Sequence, residues 1–479
     1  MNSMNSKMKK VLLILGAGAM ALVLAVVIFV LTFDINPYKP RIEAAASEAA
    51  GMKVRINGKM KLALSLSAKV SLEDILIQNK GADVASVKKA VVEVRLLPLL
   101  RREVLIRRVK IITPKFFITK DRKGRFNFET PEKKPASKEL PTRPFEMEKI
   151  FVKGGHVQYL DEKSGGRTEA NGCDLAIKNL SAGGGEFFST LSFEGDLSCN
   201  EVKAKELRVS DFRAVMKAGG GKFEANPFTM KIFGGNGRGS IRGAMAGESP
   251  EYSVDFTITK FRFEEVLGAF KQKKSMRGEL DLKSHLAIRG KNADEMTRTA
   301  QGEISLRGHD LFLESLDLDR VLEKYEKSQR VNLVDVGAFF VAGPLGALLT
   351  KGYDFGGIYK ESLGGNSTIR KLVSDWKVTN GIAEAQDVAF TTSKNRIALK
   401  GSLNFVHDRF EGLTVAVLDA NACAVYSQMI HGAFKKPQID KPSILRSLMG
   451  PIISLAKKPF EMLKGGGCEV FYRGSLEQP

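Results

Sequence analysis

The residues that could do chemistry in this chain are few and scattered. The five histidines, His156, His285, His309, His407 and His431, form no HExxH-type cluster, so metal-assisted hydrolysis finds no starting point. His285 falls on the polar phase of an alternating segment beside Leu286, and His407 stands next to the turn at Asp408-Arg409. Both read as solvated residues. Ser454-Leu455-Ala456-Lys457 and Ser86-Val87-Lys88-Lys89 have SxxK spacing without a convincing SDN or KTG partner downstream. Gly237-x-Gly239-x-x-x-Gly243 faintly suggests a dinucleotide loop, but such a loop must open a helix, and Ile241 and Met245 continue an alternating strand. Carboxylates are plentiful without a convergent pair. No nucleophile, base and orienter can be assembled, so the sequence predicts a protein that is not an enzyme, with no catalytic residue, no metal site and no cofactor.

Cys173 shares phase with Leu175 and Ile177, Cys199 with Leu197 and Phe193, Cys423 with Val425, and Cys468 with Val470 and Tyr472. All four read as small inward-facing hydrophobes. Outside the cytoplasm a disulfide is allowed, but its connectivity cannot be deduced. The 74 Lys and Arg outnumber the 54 Asp and Glu, a net charge of +20. The densest basic stretch is Arg101, Arg102, Arg107, Arg108 and Lys110, with a smaller one at Lys271, Lys273 and Lys274. Two readings stand: a solvated outer face, or attraction to anionic headgroups or lipid A phosphates at ~1 kcal/mol per basic residue.

The compartment follows from the N-terminus. Lys7, Lys9 and Lys10 precede an uncharged run of 23 residues, Val11 to Phe33, long enough as a helix to cross a ~30 Å hydrocarbon core. It ends Phe29-Val30-Leu31-Thr32-Phe33, unlike the small-residue end of a cleavable signal. The sequence therefore predicts an uncleaved single-pass anchor with its lysines in the cytoplasm and everything after Asp34 outside it. Export removes nucleic acid as a partner.

Past the anchor, Asn36-Pro37 reads as the start of a short helix that stops at Gly51. The dominant signal then has period two: Met60, Leu62, Leu64 and Leu66; Val92, Val94 and Leu96; Tyr252, Val254, Phe256 and Ile258; Leu280, Leu282, Leu286 and Ile288; Ile397, Leu399, Leu403 and Phe405. Turn signals such as Asn380-Gly381 fall between these runs, as antiparallel hairpins need. The expected organisation is an anchor over 1–33, a helix and first strands over 34–130, a Pro/Lys-rich linker over 131–148, a central sheet over 149–330, an apolar helical segment over 331–352, and a C-terminal β region over 353–479. The last carries an amphipathic helix over 443–464. A sheet with one apolar face must cover it, because burial is worth ~25 cal/mol per Å². It can close into a sandwich or barrel, accept helices, or curl into a trough lined by acyl chains, and alternation alone does not choose.

The order of these elements resembles the AsmA family of inner-membrane-anchored periplasmic proteins. The likeness runs through the anchor and Val91-Val92-Glu93-Val94-Arg95-Leu96-Leu97-Pro98-Leu99-Leu100. Met276-Arg277-Gly278-Glu279-Leu280, Gly302-Glu303-Ile304-Ser305-Leu306-Arg307-Gly308 and Leu316-Asp317-Leu318-Asp319 continue it. Gly343-Pro344-Leu345-Gly346, Ser367-Thr368-Ile369-Arg370-Lys371-Leu372 and Asp387-Val388-Ala389-Phe390 complete it. The resemblance implies a mainly β protein of the bridge-like, repeating β-groove type: an N-terminal transmembrane helix, an elongated, curled antiparallel sheet and a few short helices. It also implies carriage of phospholipid between the inner and outer membranes of a Gram-negative cell. No catalytic residues come with it. The implied groove lining maps onto Leu62, Leu64, Leu66, Val92, Val94, Val254, Phe256, Leu282, Leu286, Leu399 and Leu403, with Arg101, Arg102, Arg107, Arg108 and Lys110 as headgroup contacts. The expected partners are phospholipid, the inner membrane, and either the outer membrane or an assembly partner. The rival expectation is a scaffold for outer-membrane proteins, whose sheet closes into an ordinary core and conducts no lipid.

Overall fold

The computed structural model describes residues 34–64, 67–95, 105–129, 145–183, 187–245, 249–269, 276–328, 364–441, 443–444 and 469–479. The expected anchor, Leu66, Arg101, Arg102, most of the expected linker, the apolar segment at 331–352 and most of the expected helix over 443–464 lie outside them. Among the described residues no helix is long and apolar enough to cross a membrane. The fold is mainly β and divides into two compact units, Met1–Lys205 and Glu206–Pro479.

The first unit opens with a 3-10 turn at Asn36–Tyr38 and helix α1 (Lys39–Ala50), which stops where Gly51 turns left-handed (φ 64°). Asn36 does not cap this helix. Its carboxamide accepts from Met60 N (2.9 Å) and donates to Met60 O (3.3 Å), as a neighbouring strand's peptide would. Glu43 accepts from Ile56 N (2.5 Å), Ser47 Oγ from Val54 N (2.9 Å), and Lys39 donates to Gly58 O (3.1 Å). Helix side chains thus occupy the free edge of β1 (Lys53–Ile56) and β2 (Met60–Leu64), which would otherwise recruit further strands.

Both short strands pair with β3 (Ser67–Asn79), and β4 (Ala82–Arg95) and β5 (Ile106–Lys120) follow antiparallel. The next pairing corrects the wholly antiparallel expectation: β6 (Phe145–Asp161) runs parallel to β5. A parallel neighbour needs a long return connection, which residues 121–144 supply. Strand β6 begins inside the stretch expected as linker. β7 (Gly166–Ala182) and β8 (Ser192–Ala204) complete the unit, and α2 (Phe187–Thr190) is a single turn between them. A disulfide joins Cys173 on β7 to Cys199 on β8, and Cys423 is disulfide-bonded as well.

The second unit is an antiparallel ladder. Its strands are β9 (Leu207–Gly219), β10 (Lys222–Ile232), β11 (Gly235–Ala244), β12 (Glu251–Arg262), β13 (Met276–Arg277), β14 (Glu279–Arg289) and β15 (Gln301–Leu313). They continue with β16 (Ser367–Thr379), β17 (Ile382–Thr391), β18 (Arg396–Asn404), β19 (Arg409–Leu418), β20 (Ala424–Ala433), β21 (Lys436–Ile439) and β22 (Ser443–Ile444). Each pairs with the next, except that β12 and β13 pair with β14 and β15 respectively, and β21 and β22 follow one another along β20. The Ser443–Ile444 pair is therefore strand where a helix was expected to start. Helices α3 (Phe263–Ala269), α4 (Ala293–Thr299) and α5 (Leu318–Ser328) interrupt the ladder. Within each unit, among the described residues, no pairing joins the first strand to the last, so neither ladder closes into a barrel.

In the second unit the face opposite the main core is covered by the last residues of the chain. Tyr472 and Leu476 pack on Val373, Ala389, Ala398, Ala416 and Leu418. The Tyr472 hydroxyl donates to Asp387 (2.5 Å) and accepts from Leu476 N (3.1 Å), while buried Arg396 donates to Leu476 O (2.9 Å). Burial, with the hydrogen bond to Asp387 next, pushes the Tyr472 hydroxyl above its ordinary value. A raised folded value means that this contribution is complete below the unfolded tyrosine value of ~10 and is lost as pH climbs through the folded one. Replacing Tyr472 by Phe should cost about 1–3 kcal/mol through the stranded Leu476 N–H and the lost bond to Asp387, which keeps Ser475 as a partner, and flatten the alkaline limb of a stability-versus-pH curve. Replacing Asn36 by Ala should accelerate amide exchange at Met60 by an amount that mass-spectrometric exchange resolves, with β9–β20 unaffected.

Candidate functional site: an apolar sheet face

The register determines which residues share a face. In the first unit Leu62, Val70, Val92, Val109, Ile150 and Ile177 stand opposite one another across β2 to β7. One step along, Met60, Leu72, Ala90, Ile111, Val152, Leu175 and Leu197 form a second row that reaches β8. The parallel pairing does not disturb either row, because paired residues point the same way in both kinds of ladder. Apart from Met60, these side chains are half-buried, including the expected lining residues Leu62 and Val92. Val94 is buried one position further on. Leu64 lies on β2 opposite Ala68.

The second unit carries a comparable row. Ile241, Val254, Leu286, Gly302, Val378, Ala383, Leu403 and Phe410 follow one another across eight strands, from β11 to β19 with β13 set aside. Exposure changes along it. Ile241, Val254 and Leu286 are half-buried, whereas Val378, Ala383, Leu403 and Phe410 fall to 6%, 3%, 2% and 1%. The buried end belongs to a packed cluster that contains Phe263 and Val266 of α3 and Leu318, Val321 and Leu322 of α5. Phe256, Leu282 and Leu286 pack against its margin. Of the eleven expected lining residues, then, Val254, Phe256, Leu282 and Leu286 lie together on an accessible stretch. Leu399 and Leu403 lie inside a closed core.

Helix α5 is held there by its first turn. Asp317 accepts from Arg320 N (3.1 Å), and Asp319 accepts from Thr392 Oγ1 (2.5 Å), Ser393 Oγ (2.7 Å) and Asn395 Nδ2 (2.6 Å) in the turn between β17 and β18. The Leu316-Asp317-Leu318-Asp319 stretch thus alternates core leucines with anchoring carboxylates.

The glycine-rich segment also finds its explanation on this face. Phe228 and Phe256 stack with ring centroids 5.7 Å apart. A Cβ on Gly239 would fall 2.6 Å from Phe228 Cζ and 2.2 Å from Asp255 O, and one on Gly237 3.3 Å from the Phe256 ring. The glycines make room for the rings, on strands rather than at the start of a helix.

The basic residues are largely engaged. Arg107 Nε donates to Glu148 (2.8 Å), Arg95 bonds the other Glu148 oxygen, and Arg107 and Arg108 reach Glu93 at 3.7 and 3.6 Å. The Arg107 hydrogen bond, then that of Arg95, holds the Glu148 carboxyl below its usual range. Lys110 is exposed on β5. Ser240, Asp255 and His285 are in direct register on three neighbouring strands, but the carboxylate is in the middle. Ser240 Oγ donates to Asp255 Oδ2 (3.2 Å) and His285 Nδ1 lies 2.6 Å from Oδ1. The imidazole does not meet the hydroxyl, so this is not a nucleophile with its base.

A family model described as the AsmA family matches residues 8–197 and 189–387, most of the chain. The chain belongs to the AsmA family. The matched AsmA regions contain both half-buried rows and the start of the closed core, while β18 to β22 and the covering tail lie beyond them. No curated protein matches the chain. Sequence reading missed Val109, Ile111 and Val152, which continue the rows, although Val109 and Ile111 share a phase that could have revealed them. Replacing Gly239 by Ala should cost about 1–3 kcal/mol by overpacking against Phe228 and the β12 backbone, read as a lower denaturant midpoint with an unchanged slope.

Proposed function

We propose that this AsmA-family chain is anchored by residues 11–33 in the inner membrane of a Gram-negative cell and holds its bulk in the periplasm. There the accessible apolar rows act as a groove for the acyl chains of phospholipid in transit between the two membranes. One observation carries the reading: apolar residues remain in register and half-exposed across six consecutive strands in each row of the first unit, and again over β11, β12 and β14 of the second. A continuous bare face is costly in water and rare on soluble monomers, so it needs an occupant, and an acyl chain is a fitting one. The disulfides favour an oxidising compartment such as the periplasm. Headgroups would ride at the polar lip, and flux would follow a sink because no energy source is built in.

The burial gradient bounds the proposal. From Val378 onward the face is filled by protein, so the lipid path proposed here ends near β14, and a partner or a partial span takes the place of a through-conduit. The same closed core favours, for that region, the rival reading of a scaffold that binds outer-membrane proteins. The two readings separate by experiment. A photoreactive residue at Val92 or Val254 of the full chain should cross-link phospholipid in cells, and one at Leu403 should not; protein adducts alone from all three positions would favour the scaffold. Phe256→Asp, at a half-exposed site, should cut lipid adducts at Val254 several-fold with the fold retained. Leu403→Asp should instead unfold the second unit by burying an unpaired charge.

A further inference from the structure

The turn after β5 is built to stand still while presenting two rings and several positive charges. Asp121 Oδ1 accepts from Lys123 N (2.8 Å) and Arg125 N (2.9 Å), and its other oxygen binds the Arg125 side chain at 3.0 Å. The Arg125 and Lys123 contacts hold the Asp121 carboxyl below its usual range. Two residues on, Asn127 is clamped to the strand: its carboxamide accepts from Thr119 N (3.0 Å) and donates to Phe117 O (2.6 Å). Asn79 donates to Asn127 O (2.8 Å) and Glu129 O (3.1 Å) from the end of β3.

On either side of Asn127, Phe126 and Phe128 stack with centroids 5.0 Å apart and rings 12° from parallel. Phe128 remains 40% exposed, and Lys120 stands 5.8 Å over the Phe126 ring. Arg122, Lys123 and Arg125 are all exposed. Between Lys120 and Phe128 the sole acid is Asp121, and its oxygens are taken up by the turn. The acids Asp83, Glu129 and Glu162 line a cavity of about 890 Å³ between the turn and the end of β3 and β4.

We propose that residues 120–128 form a second membrane contact, in which the Phe126–Phe128 pair enters the headgroup zone of an anionic bilayer and Arg122, Lys123 and Arg125 pair with its phosphates. Aromatic rings beside basic residues suit that zone, where an apolar body and a charged rim are satisfied together. An acidic protein surface would answer the charges but give no reason to hold an exposed Phe128 stacked on a half-buried Phe126. The rigid clamp matters because the surface is presented without an ordering cost on contact.

The inference rests on the membrane-anchored reading, and the test separates the two. The full chain with Glu129→Cys carries a thiol for an environment-sensitive fluorophore, since no described cysteine is free. It is reconstituted into phosphatidylcholine nanodiscs with and without phosphatidylglycerol, together with a headgroup spin-labelled lipid. A chain that fails to enter the discs counts against the anchor. Once it is inserted, the expected result is quenching in the phosphatidylglycerol discs that falls several-fold with Arg122→Glu/Lys123→Glu, with Phe126→Ser/Phe128→Ser, and in high salt. A label that stays in water, with the β signature intact by circular dichroism, overturns the proposal. Quenching that survives both double variants overturns it equally, and an emission shift that appears only when an acidic protein is added, without quenching by the lipid, would assign the surface to a protein partner.

Discussion

Side chains on a strand alternate between two faces, so slipping any one pairing by a single residue would turn that strand's Val and Leu to the other side and break the apolar face there. Both apolar rows depend on that not happening. The rows through Leu62 and through Met60 keep phase across antiparallel pairings and a parallel one, and the register shifts after Ile77, Glu93 and Val152 fall outside them. The chain accommodates the parallel neighbour by a long excursion, and the excursion is where the basic, aromatic turn is carried. An irregularity in topology thus becomes a surface feature without any cost to the register.

What covers the face is a separate matter, decided by elements off the sheet. In the second unit Phe263, Val266, Leu318, Val321 and Leu322 complete a core that runs from Ile258, Phe261 and Leu280 at one end of β12 and β14 to β20, and the tail around Tyr472 completes the opposite face over β16 to β19. That stretch is a sheet covered on both sides. In the first unit α1 gives partial cover, Ile42 joining a small cluster with Met60, Leu72 and Ala90, and among the described residues the rows beyond β4, and Ile241 and Val254 in the second unit, stay half-exposed. The same alternating pattern therefore supports two physical outcomes within one chain, according to whether a helix with the right leucines arrives.

This is also why the sequence was readable in one respect and opaque in another. Phase was legible: Val254, Phe256, Leu282 and Leu286 fall together on one face because period two leaves no other arrangement. The first helix and its stop at Gly51 were legible from Pro37 and the glycine. Burial was not. Leu403 and Leu62 look alike in sequence, and only the packing of α3 and α5 separates them. Arg107 reads as part of a free basic patch because Glu148, far along the chain on a strand joined in parallel, gives no local sign of its approach, and Arg108 because its contact with Glu93 depends on how β4 and β5 align. The cysteines betrayed an inward phase but not that Cys173 and Cys199 lie side by side, which depends on how β7 and β8 align.

The contacts of Asn36, Lys39, Glu43 and Ser47 have a mechanical consequence. They bind the segment between Asp34 and Gly51 to the first two strands at several points along its length, so no slack joint separates residue 34 from the sheet. Whatever fixes the chain at that residue also sets the tilt of its first strands, and a sideways load on the ladder would be felt at residue 34 as torque.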